Sequence, residues 1–248
     1  MKLLEQTQGK NVSESYKVIT TNQVLERFTS KGYEVTNMQA AKVRNADSDG
    51  FQKHLIRVTH PDFKDALQDA RPEIVIVNSY NGSTALSMFL GAYRFVCANG
   101  LMVGTGFGGA SVRHVGNVNE RIDTGIIDLV AQLPKMINNI SEMQNRQVSY
   151  IAQNEFLKRA TELVLPETGQ ALTEQTFENY IGRQEDRAPN AYQTFNVVQE
   201  LVLTRGLYYT NEKNKLVKTR RIKSITRQVS LNRDLWDLAN EVLLDKAA

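Results

Sequence analysis

The stretch from Glu73 to Gly116, EIVIVNSYNGSTALSMFLGAYRFVCANGLMVGTGFGGASVRHVG, is the most apolar and most turn-punctuated part of this 248-residue chain. Ile74 to Val77 is a β-branched run between Pro72 and Asn78, which predicts a buried strand. Asn81-Gly82 is a hairpin signal, because a type I′ turn needs positive φ at both central residues. Ala85 to Leu90 then returns as the partner strand, and Gly91 marks a bulge or a close backbone approach. Tyr93 to Cys97 continues apolar, Asn99-Gly100 offers a second turn, and Leu101 to Val103 a further short strand. The reading is a meander of antiparallel strands.

Three features inside this stretch bear on chemistry. Arg94 is a charge within an apolar run, either on a solvated face or pairing with an acid or a phosphate. Cys97 reads as a small buried hydrophobe, since no histidine signature accompanies it. Gly104, Gly106 and Gly109 spell G-x-G-x-x-G, but a dinucleotide fingerprint needs a helix directly after the glycines. Here Ala110 to Gly116 alternates like a strand, so the glycines read as a loop or bend.

Upstream, Met1 to Tyr16 is polar and reads as loosely ordered. Thr21 can cap a helix over Asn22 to Lys31, with Val24, Leu25 and Phe28 on one face. Tyr33 to Val43 and His54 to Thr59 read as paired strands around a turn at Asp47 to Gly50. Downstream, apolar residues from Ile126 to Met143 recur at three and four, and Pro134 predicts a kink or break. The period resumes from Val148 to Val164 and stops at Pro166. Residues 126–165 could therefore pack as a hairpin, mediate homo-oligomerisation, or simply cover the sheet. Leu172 to Gly182, capped by Thr173, and Ala191 to Thr204 read as two more helices. The fold class is α+β, a central mostly antiparallel sheet with C-terminal helices packed on it. A mostly β half, 1–120, and a helical half, 121–248, form one integrated domain on this reading.

Composition narrows the function. Net charge is +3 and the hydrophobic share 41%, ordinary for a globular chain. A single cysteine excludes a disulfide framework, and His54, His60 and His114 show no ligand spacing. No metal or cofactor is expected. No apolar leader or membrane-length run is found, which predicts a cytoplasmic protein with no membrane partner.

The strongest charge feature is Lys213 to Arg227. It contains Lys213, Lys215, Lys218, Arg220, Arg221, Lys223 and Arg227 with no acid among them, and Tyr208 and Tyr209 stand just upstream. Alternating cations on both faces of a strand are incompatible with a buried position, so an exposed edge or arm is expected. Ser230 or Asn232 then opens a terminal helix carrying Leu235, Trp236, Leu238, Val242 and Leu243.

Arg94 to Leu101 (RFVCANGL), Tyr192 to Gly206 (YQTFNVVQELVLTRG) and Leu235 to Asn240 (LWDLAN) together resemble the phage- and plasmid-associated domain-of-unknown-function family 932. Asn78 to Ser83 is similar to the strand–turn segment that precedes that family's arginine–cysteine motif. The resemblance runs from Glu73 to Asn240; residues 1–72 carry none of these motifs, and the family's tryptophan-containing N-terminal segment has no counterpart. It implies a mobile-element setting near recombination and replication functions. It transfers no catalytic residue.

The expectation is a nucleic-acid-binding protein of a phage or mobile element, acting on single-stranded DNA in replication or recombination. Its candidate contacts are Arg94, Tyr208, Tyr209 and the seven cations, which neutralise phosphates while the aromatics stack on unpaired bases. The alternative is a protein-binding module that inhibits a host enzyme or defence system through residues 126–165. An enzyme, such as a nuclease, lacks any paired-carboxylate or histidine spacing in its favour.

Overall fold

The structure, a computed structural model, describes residues 3–4, 6–95, 100–102, 109–165, 170–171 and 176–245. Cys97, Gly104, Gly106 and Thr173 lie outside them. The chain forms two compact units, Met1–Ile137 and Asn138–Ala248.

The first unit opens with helix α1 (Thr21–Thr29), whose buried face is Thr21, Val24, Leu25 and Phe28. Its cap is Thr20, not Thr21. The Thr20 hydroxyl accepts from the Gln23 amide and the Gln23 side chain reaches back, a full capping box. Strands β1 (Glu34–Ala40), β2 (His54–Thr59), β3 (Ala70–Asn78), β4 (Leu86–Arg94), β5 (Gly100–Met102) and β6 (Ala110–Val112) follow. They pair antiparallel in the order β1-β2-β3-β4-β5, with β6 also beside β4. The α+β class and the antiparallel meander are both present.

Helix α2 (Val118–Asn145) closes the first unit and continues into the second. Its Gly125 lies against Ala110 and Met88. Thr21 of α1 bonds to His54 and Asn78. Both helices therefore cover the sheet face that carries His54, Ile56, Val58, Ile74, Ile76 and Met88. Pro134 does not interrupt α2. The proline stands on the exposed side, where water can satisfy the carbonyl it leaves without a donor, while Leu129, Leu133, Met136 and Ile140 stay buried.

The type I′ turn expected at Asn81-Gly82 is not formed, because only Gly82 has positive φ. The loop is wider. Tyr80 is drawn inside, its amide donating to the Phe51 carbonyl, and Asn81 Oδ1 accepts from the Ser83 amide. Gly91 makes no bulge; β4 pairs in continuous register with β3 from Ser87 to Arg94.

The N-terminal segment is fastened rather than loose. The Lys10 amide donates to Tyr80 O, the Lys17 amide to His114 O, and Tyr16 Oη to Ser79 O. Tyr16 also stacks on His114 at 4.5 Å, and Tyr80 Oη donates to Leu3 O.

In the second unit, α3 (Tyr150–Glu162) is capped by Ser149. Strand β7 (Gln170–Ala171) follows, and Phe177–Tyr180 is a 3₁₀ turn, so no regular α-helix occupies 176–182. Helix α4 (Ala191–Glu200) widens into one π-helical turn over Leu201–Arg205. Strands β8 (Tyr208–Thr210) and β9 (Leu216–Lys218) complete a three-stranded sheet with β7. Helix α5 (Ile225–Leu244) is capped by Ser224, six residues before the expected Ser230. Phe156, Phe195 and Trp236 form the aromatic centre, with Trp236 edge-on to Phe195 at 5.9 Å.

Candidate nucleic-acid interface

The basic segment is built from β8, β9 and the chain leading to α5. Tyr208 pairs in register with Lys218, Tyr209 with Val217, and Thr210 with Leu216. β9 is the outer strand of its sheet, and beyond it Thr219 to Ser224 runs without regular structure. Lys213, Lys215, Lys218, Arg220, Arg221 and Lys223 are all exposed. Among the described residues none of the six forms an ion pair, and Lys218 Nζ rests 5.0 Å over the Tyr208 ring. Tyr208 is itself 42% exposed, whereas Tyr209 is half-buried.

The arm has a fixed root. The Thr219 amide donates to Leu207 O and the Ile222 amide to Leu203 O, and Thr219 Oγ1 accepts from the Leu207 amide. Gly206, at φ +81, lets the backbone pass directly under Thr219. These anchors hold the arm to the π-helical turn, so its cations are presented from a defined base. Sequence reading misses the root, because it depends on hydrogen bonds between segments and on a turn type without a sequence signature.

Two of the expected contacts stand apart. Arg227 belongs to the first turn of α5 and donates to Leu163 O. Arg94, in the first unit, is 2% exposed and its Nε donates to Asp69 Oδ2 at 3.0 Å. It is placed as the acid-pairing arginine of its two readings, not as a surface cation. Arg94→Ala removes a buried guanidinium and its charge-assisted bond to the part-exposed Asp69, so it is expected to destabilise the first unit by about 2 kcal/mol, read as a lower urea midpoint.

The histidines are structural. His54 Nδ1 faces the Gln52 carbonyl and so carries the proton, leaving Nε2 to accept from the Thr21 hydroxyl at 2.7 Å. Asn78 and Tyr80 complete this buried network through Thr21. Burial lowers the pKa of His54 and of His114 below the ordinary 6.5, partly offset by their carbonyl bonds. Tyr16, desolvated beside Tyr80, is pushed up to about 12. For both histidines the unfolded chain takes up a proton at a higher pH than the folded one. Stability is therefore expected to be unaffected above 6.5 and to fall as pH drops below it toward the folded pKa. A urea midpoint that is flat across that window would contradict this.

Among the described residues no group of three or more His, Cys, Asp or Glu could hold a metal ion. No helix among them is long and apolar enough to cross a membrane.

The profile of the domain-of-unknown-function family DUF932 matches residues 10–236. The chain belongs to the DUF932 family. The match begins at residue 10, so the N-terminal region that carries none of the recognisable motifs is part of the family domain. Two curated relatives from Escherichia coli (strain K12), the UPF0380 proteins YafZ and YfjQ, are each 28% identical to this chain over 231 residues. Each of those alignments covers 93% of this chain and 84% of the relative. No solved structure matches.

Proposed function

We propose that this DUF932 chain binds single-stranded nucleic acid, most directly single-stranded DNA, through the Lys213–Lys223 arm, in the replication or recombination of a phage or other mobile element. The observation that carries the reading is the set of six exposed cations with no carboxylate partner among the described residues, rooted beside an exposed tyrosine. A solvated protective edge uses isolated lysines. Here arginines continue past the strand, and a polyanion can follow them while Tyr208 stacks on a base released from pairing.

Fluorescence anisotropy with labelled single-stranded and duplex DNA across a salt series tests this. Tighter binding to the single strand is expected, weakening steeply as salt rises. Absence of binding at low salt would remove the proposal.

A second reading, self-association or a protein partner through residues 126–165, is favoured by Ile151, 79% exposed, beside exposed Tyr150 at the start of α3. Ile151→Glu would separate the two readings. It should change the mass found by light scattering if the face is an interface, and leave DNA binding intact.

A further inference from the structure

We propose that the sheet face turned away from α1 and α2 carries a phosphate-binding site formed by Arg57 and Arg71 and held in shape by Glu73. This site lies in the first unit, uses none of the arm residues, and goes beyond the proposed function. Alternation and register bring the parts together. Arg57 stands opposite Val75, Arg71 stands opposite Tyr93, and Glu73 lies two residues along β3 from each of Val75 and Arg71.

The Glu73 side chain is 1% exposed. Its Oε1 accepts from Arg71 Nε at 3.1 Å, from Arg71 Nη2 at 2.9 Å and from Thr36 Oγ1 at 2.8 Å. Its Oε2 pairs with Arg57 Nη1 at 3.3 Å, and the Arg57 guanidinium lies 4.0 Å over the Tyr93 ring. One buried carboxylate thus fixes two guanidiniums side by side.

A purely structural pair needs one arginine. The second leaves a net positive charge in a place where Arg57 keeps only 13% of its side chain in water and Arg71 27%. Withdrawing an uncompensated charge from water is unfavourable, and a bound anion balances it. Arg57 Nε and Nη2 and Arg71 Nη1 meet no acceptor among the described residues. These planar donors suit the oxygens of a phosphate in bidentate fashion. The Arg57 guanidinium takes one face of the Tyr93 ring, and the part-exposed remainder of the ring stands beside the forks as an apolar wall, which favours the phosphate of a nucleotide, free or within a strand, over a bare inorganic ion.

The Nε–H signals of Arg57 and Arg71, followed by NMR in the full chain, test the site. The titrants are inorganic phosphate, a deoxynucleoside monophosphate and an oligothymidylate. Saturable shifts are expected, with the nucleotide binding more tightly than phosphate. Arg71→Gln leaves Glu73 its bonds to Arg57 and Thr36, so the fold should be kept, as a thermal melt would show. The same change should weaken nucleotide binding by about tenfold, since a charge-assisted fork is lost. Arg57→Lys, which keeps the charge but not the fork, should also weaken it. A response to oligothymidylate that survives loss of the arm cations assigns the site to a strand phosphate. A response to the mononucleotide alone assigns it to a free nucleotide, whatever the fate of the arm. Signals that move with none of the probes, or binding that is equal in Arg71→Gln, would overturn the proposal.

Discussion

Changing Lys218, Arg220, Arg221 and Lys223 together to Gln is expected to weaken single-stranded DNA binding by about two orders of magnitude near physiological salt. The estimate follows from counterion release. Each lost phosphate contact on a single strand removes roughly 0.7 from the slope of log affinity against log salt, so four removed contacts flatten it by nearly three units. The fold should not notice. All four side chains are exposed and lack ion pairs among the described residues, and exposed charges of this kind contribute little to stability, so the melting temperature should move by no more than about 2 °C. Anisotropy and a melt on the same preparation check both halves. If affinity and slope both survive, the arm is a solvated edge and the proposed function loses its physical support.

Gly206→Ala is expected to have the largest effect on stability of any single change near the site. Gly206 sits at φ +81, ψ 150, a region that only glycine occupies without strain. An added Cβ would also stand 2.4 Å from the Thr219 carbonyl oxygen and 3.2 Å from Lys218 Cγ. Backbone strain and a backbone clash act together, and the arm's root at Leu207 and Thr219 must shift to relieve them. A loss of about 3 kcal/mol is expected, or roughly 6–12 °C in melting temperature for a chain of this size. A melt unchanged from the parent would show that the root tolerates the displacement.

The meander was legible because strand alternation is local. β2 spans the residues that its pattern indicates, and β3 contains the β-branched run. The helix starts were less so, for specific reasons. Thr20 and Thr21 are adjacent hydroxyls, and the deciding signal is Gln23, three residues after Thr20, which completes the capping box. Ser224 lacks such a partner, and the surrounding cations read as a continuing arm. That reading hides the start of α5 and the helical position of Arg227. Phe177 and Tyr180, three apart, fit a 3₁₀ turn as well as an α-helix. The exposed arm follows from charge alternation alone. The Arg57–Glu73–Arg71 cluster does not, because it exists only once the strand register is fixed.

The fastened N-terminal segment has a consequence for how the first unit assembles. Its attachments join residues 3–17 to residues 79, 80 and 114, so their sequence separations are long, whereas successive strands of the meander are neighbours in the chain. Closing long loops before the sheet exists is entropically disfavoured. The sheet is therefore expected to form the nucleus and the segment to dock after the rate-limiting barrier, which low φ-values for Tyr16→Phe and high ones in β3 would show. On that order its bonds act mainly on the rate of unfolding: weakening them should shorten the lifetime of the native state and leave the speed of folding nearly untouched.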